Sequence, residues 1–222
     1  MVKEFEDCFV NLLRLEVAWF TYNSKNPLGW LESVLVSEYS SLAELDFSNS
    51  DLTSTKLRGL LDALHKRNAY SPITVINFTG NRKLNDDIAE DLCTCIAKKL
   101  PSLKTLYLDH TNIGDGTCKA IFHLFQNCSF FNDRKSFSHL FDPNLMKEGT
   151  TRLKKISMEG TKITKAGVDI LNEVFSQGLV HRRDAIKFYV HKFTNTQSSP
   201  ANTISDDNTL DKTFYDKRIV FY

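Results

Sequence analysis

Leu103-Lys-Thr-Leu106-Tyr-Leu108-Asp-His-Thr111-Asn-Ile113 reads L-x-x-L-x-L-x-x-T-x-I. It follows Leu100-Pro101, the end of a helix-like segment, and runs into Gly114-Asp-Gly116 and an apolar pattern at Cys118, Ile121, Leu124 and Phe125. The order is a short strand, a tight corner and a helix. Side chains alternate along a strand, so the leucines face a core and the residues between them face away from it.

The same pattern recurs along the chain, which makes it a repeat. Leu42, Leu45, Phe47, Ser50 and Leu52 form one copy. Ile73, Ile76, Phe78 and Asn81 form the next, with Leu84 one residue late. Leu153, Ile156, Met158, Thr161 and Ile163 form another. The starts lie 31, 30 and 50 residues apart, so the last interval holds one ordinary period and roughly twenty extra residues. Counted from Leu52, Leu84, Ile113 and Ile163, positions eight, eleven and twelve further on are apolar in every copy: Leu60, Ala63 and Leu64; Leu92, Cys95 and Ile96; Ile121, Leu124 and Phe125; Leu171, Val174 and Phe175. That spacing marks one face of a helix. Leu12, Leu15, Val17 and Phe20 fit a degenerate copy 30 residues before Leu42, with Pro27 in the first turn of its helix. Ala185, Phe188 and Val190 fit a degenerate sixth strand 32 residues after Leu153.

These copies resemble leucine-rich repeats, specifically the long strand–helix subclass typified by ribonuclease inhibitor. The resemblance implies an α/β solenoid: a curved parallel sheet with helices on its convex side, in about five to six repeats including degenerate caps. It also implies that Ser50, Asn81, Thr111 and Thr161 tie the corners with their side chains. Such arrays are similar to recognition modules of actin-regulatory and immune-sensor proteins and to bacterial effectors acting in host cytosol.

The expected organisation is a repeat domain over 1–193, with a cap and degenerate repeat over 1–41 and an insertion over 128–150. The insertion contains four Phe, too apolar for a solvated linker. Residues 194–213 are rich in Thr, Asn, Ser and Asp and read as disordered, so 194–222 is a linker with an apolar end, Ile219-Val-Phe-Tyr222, that folds back or docks.

The 222 residues carry a net charge of +1, which gives no global attraction to nucleic acid or membrane. The 16 Phe suit the filling of a solenoid core. The N-terminus lacks a basic segment followed by an apolar run, and no apolar run approaches the roughly 18 residues of a membrane span. Five cysteines without framework spacing point to reduced thiols and a cytoplasmic setting. P-loop, G-x-S-x-G, H-E-x-x-H and dinucleotide signatures are absent, and the six His show no metal-ligand spacing, so no catalytic residue, metal or cofactor is expected.

The outward strand positions are then the informative ones. The expected protein-binding residues are Glu44, Asp46, Asn77, Thr79, Thr105, Tyr107, Asp109, His110, Lys155, Ser157 and Glu159. The expected function is a monomeric, non-enzymatic protein-interaction module. Tyr107 is the aromatic of the row, an amphipathic anchor of the kind interfaces favour. Two other readings are compatible with the sequence: a recognition domain cut from a larger protein, and a GTPase regulator. Asn81-Arg82-Lys83 lies in a loop after a strand, as the arginine does in the similar activating proteins of the small nuclear-transport GTPase. The chain has about half that family's repeats and no acidic tail run.

Overall fold

The computed structural model describes residues 14–16, 29–37, 39–68, 70–130, 149–179, 186–190 and 219–221. They form an α/β structure in which strands and helices alternate. The strands are β1 (Arg14–Glu16), β2 (Glu44–Asp46), β3 (Val75–Asn77), β4 (Thr105–Tyr107), β5 (Cys128–Phe130), β6 (Gly149–Thr151), β7 (Lys155–Met158), β8 (Lys187–Val190) and β9 (Ile219–Phe221). The helices are α1 (Gly29–Val36), α2 (Ser54–Lys66), α3 (Ala89–Lys99), α4 (Asp115–Asn127) and α5 (Lys165–Ser176).

Seven strands pair in the order β1-β2-β3-β4-β7-β8-β9, every neighbour parallel. The register joins Leu15, Leu45, Ile76, Leu106, Ile156, Phe188 and Ile219. The first six are the residues that the sequence period brings into line; Ile219 was read instead as part of an apolar end. The hydrogen-bond ladder continues beyond the short strands into the corners: Phe47 N donates to Asn77 O and Asn49 N to Thr79 O, both at 2.8 Å, and His110 N donates to Glu159 O at 2.7 Å. A parallel pair needs a long crossover between its strands, and each helix supplies one.

One apolar core lies behind the sheet. It holds the inward residues Leu45, Ile76, Leu106, Ile156 and Phe188 together with the helix residues at the three repeating positions. The described helices pack in sequence order, and all contribute to that core. They therefore lie on one side of the sheet. Aromatic pairs contribute to that core: Phe47 stacks on Phe78 at 5.9 Å between centroids, and Phe188 meets Phe125 at 6.2 Å and Phe175 at 5.6 Å.

Helix starts are set by caps and by neighbouring units. The Thr53 and Thr164 side chains accept from Lys56 N and Ala166 N, satisfying donors that the first turn leaves open. Asp86 reaches across to α4, accepting from Gly114 N at 2.7 Å, Thr117 N at 3.0 Å and Thr117 Oγ1 at 2.6 Å. Asp115 does the same for α5, accepting from Thr164 N at 2.8 Å and Thr164 Oγ1 at 2.6 Å. Carboxylates at helix N-termini are favoured by the helix dipole, and here they also fasten one unit to the next.

At the corners, each Ser or Thr hydroxyl donates to the carbonyl three residues back: Ser50 to Phe47 at 2.6 Å, Thr111 to Leu108 at 2.7 Å and Thr161 to Met158 at 2.8 Å. Asn81 does more. Its Nδ2 donates to Phe78 O and to Phe47 O of the preceding corner, at 2.8 and 2.7 Å. Its Oδ1 accepts from Ser50 N and Leu52 N, at 3.1 and 2.8 Å.

The structure adds detail to the sequence reading at two places. The two ends of the insertion, β5 and β6, pair in parallel as a separate two-stranded sheet, with Ser129 opposite Thr150. The apolar C-terminal stretch, read as a segment that folds back or docks, is β9 and joins the main sheet one period after β8. The predicted cap at 1–11, the centre of the insertion and the predicted disorder at 194–213 lie outside the described residues. Among the described residues, no helix is long and apolar enough to cross a membrane.

Candidate functional site

The outward residues of the sheet line up in two rows. One runs Glu44, Val75, Thr105, Lys155 and Lys187; the other runs Asp46, Asn77, Tyr107, Ser157 and Tyr189. Parallel strands lie about 4.8 Å apart, so Tyr107 and Tyr189 stand on either side of β7. Lys155 leans along β7 between them. Its Nζ lies 4.7 Å from the centroid of each ring, which places the ammonium over two negative π faces.

This stack changes the reading of Ser157. The serine sits between the tyrosines and two residues beyond Lys155, and only 7% of it is exposed. It is buried, whereas the sequence placed it among the contact residues. Tyr189 and Lys187 belong to the rows and were missed. The signal was available, because Phe188 and Val190 were read as inward positions and Tyr189 lies between them.

Several other expected contact residues hold the corners. Asp46 Oδ1 accepts from Ser48 N at 2.9 Å, and Asn77 Oδ1 accepts from Thr79 N at 3.0 Å. These side chains shape the exit from their own strands. Asp109 Oδ1 accepts from Glu159 N, 2.7 Å away on the neighbouring unit. Asp109 is thus a structural tie between units as well as a surface residue. Thr79 and Glu159 lie at the turns, half-buried, just beyond β3 and β7.

His110 occupies a left-handed corner, φ 54°, a position matched by Asn49, Gly80 and Gly160 in other units, at φ 51°, 78° and 63°. Large and small residues alternate there. A Cβ on Gly160 would come within 2.2 Å of His110 Nδ1, and one on Gly80 within 2.1 Å of Asn49 Oδ1. Gly160→Ala should therefore carry two costs, the left-handed backbone and the imidazole clash, together about 2 kcal/mol. In a His110→Ala background only the backbone cost of about 1 kcal/mol should remain. Urea unfolding of the four proteins in that double-mutant cycle measures the difference. Equal costs in both backgrounds would show that His110 does not rest on Gly160.

Arg82 is exposed on the corner after β3, and its backbone carbonyl accepts from Asn112 Nδ2. Its neighbour Lys83 pairs with Asp51 at 2.7 Å. Cys93, Cys95 and Cys118 are buried. Burial pushes the Cys95 thiol up to about 12 and raises Cys118 further, with Asp115 and Asp86 adding to the effect at Cys118. A nucleophilic thiol needs the opposite environment. Among the described residues, no group of three or more His, Cys, Asp or Glu side chains could hold a metal ion.

No protein-family model matches the chain, and no curated protein matches its sequence.

Proposed function

We propose that the chain is a leucine-rich-repeat solenoid acting as a non-enzymatic, cytoplasmic binding module. It takes a protein partner on the concave, outward face of its sheet, and it works without a cofactor. The observation that carries this reading is the Tyr107–Lys155–Tyr189 stack, which stands on the side of the sheet away from the described helices. Large amphipathic rings held by neighbours bury much area at small entropic cost, and residues of this kind dominate interface energetics. The repeat period supports the fold half of the proposal, since residues 30 to 32 apart pair along most of the sheet. The regulator reading rests on one exposed arginine, Arg82.

The test is affinity capture from a eukaryotic cell lysate. Tyr107→Ala combined with Tyr189→Ala should weaken capture of the partner by about 2 kcal/mol or more. Circular dichroism should show the fold retained. Lys98 and Lys119 lie exposed on α3 and α4, and replacing both by alanine should leave capture intact. If the helical pair mattered and the tyrosines did not, the working surface would be on the helical side.

A further inference from the structure

The chain is nearly neutral overall, yet its cations are not evenly spread. Lys104 and Lys154 are exposed immediately before β4 and β7. Their backbones are in direct contact, with Lys154 N and Lys155 N both donating to Lys104 O at 2.8 and 3.1 Å. Lys187 N in turn donates to Lys154 O at 2.9 Å, and Lys155 and Lys187 are directly paired residues of β7 and β8. Four lysines thus lie in or immediately before three adjacent strands, at one end of the sheet. None of them forms an ion pair with a described carboxylate. The acidic residues of these strands, Asp109 and Glu159, lie at the opposite end, and Glu44 is level with Thr105 two strands away.

Like charges placed opposite one another in a sheet are destabilising. The arrangement therefore costs the isolated chain some stability, and an anion laid across it would recover that. The flanking tyrosines hold Lys155 in place, so its ammonium is pre-organised for a carboxylate.

We propose that the β4–β7–β8 end of this face binds an acidic protein segment, with its Asp or Glu carboxylates on Lys104, Lys154, Lys155 and Lys187. The inference rests on the binding-module reading above and adds the chemistry of the partner. The tyrosines supply contact area, the lysines supply charge complementarity, and the acidic β2 end disfavours the same segment in the wrong orientation.

The probe is a fluorescein-labelled peptide of alternating Glu and Ser, measured by anisotropy against the full chain. A Gln-Ser peptide and a single-stranded oligonucleotide are the comparisons. The acidic peptide should bind, the neutral one should not, and added salt should weaken binding. Lys104→Gln, Lys154→Gln and Lys187→Gln together leave the Tyr–Lys–Tyr stack intact and should weaken the acidic peptide by about tenfold or more. The corresponding triple Lys→Arg variant keeps the charge and should stay within about twofold of the parent. Absence of acidic-peptide binding, or binding indifferent to the triple Gln variant, overturns the proposal. So does tighter binding of the oligonucleotide at equal ionic strength, which would assign the patch to nucleic acid. The capture experiment separates the two layers. Tyrosine-dependent capture without acidic-peptide binding sinks only this inference, whereas lysine-dependent peptide binding with tyrosine-independent capture sinks the reading beneath it.

Discussion

Asn81→Ala is expected to cost about 3–5 kcal/mol of stability, because it leaves two buried backbone N–H groups without partners and takes a donor from two carbonyls at once. Asn81 is fully buried. Removing its amide strands Ser50 N and Leu52 N as donors and takes a donor from Phe47 O and Phe78 O. Each orphaned group costs about 1–3 kcal/mol when water cannot reach it, less whatever relaxation recovers. The matched control is Thr111→Ala, which removes one hydroxyl bond to Leu108 O and should cost about 1 kcal/mol. Asn81→Asp keeps the acceptor for Ser50 N and Leu52 N but turns a carboxylate toward two carbonyls, so it should not rescue. Urea midpoints with unchanged slopes give the three values. A loss below about 1.5 kcal/mol for Asn81→Ala would mean that the corner between the second and third units does not depend on it.

Leu106→Ala is the second large effect, about 2–5 kcal/mol. Leu106 lies at the centre of β4, with three strands on either side of it in the sheet order. It is 2% exposed, and its direct neighbours across the sheet are Ile76 and Ile156. Both neighbours are fixed by their own strands, so they cannot collapse far into the space a leucine vacates, and the cavity term stays in full. Thr105, one residue earlier, faces outward, and Thr105→Ala should stay within about 0.5 kcal/mol. The contrast between adjacent residues is the check. Similar losses at both positions, read from urea unfolding, would contradict the inward–outward assignment of this strand.

The parts of this structure that the sequence made legible are those where one residue carries one signal. Leu45, Ile76, Leu106 and Ile156 could be aligned because each sits in an apolar alternation, and in a sheet a slip of one residue would turn the whole set toward solvent. Leu15 and Phe188 followed from the same spacing despite weak local patterns. Ile219 lies one further period on but was read as part of an apolar end, because the polar composition of the preceding residues masked the period. The ties between units were not legible. Asp86 and Asp115 are ordinary helix-start acids in a linear reading, and only the stacking of units brings each to the next helix, 31 and 49 residues away in the chain. The burial of Ser157, which pairs across the sheet with Tyr107 and Tyr189, was not legible either. Sequence alternation tells which way a side chain faces. What then covers it is decided by its neighbours.

The outward face of the sheet is proposed as the surface that meets the partner. Site-specific photo-crosslinking tests it most directly. A benzophenone amino acid at Val75, outward on β3 and one strand away from the tyrosine stack, should form a covalent adduct with the captured partner. The same group at Lys98, exposed on α3, should form none. Adducts from position 98 and not from position 75 would put the partner on the helical side and contradict binding at the outward face of the sheet.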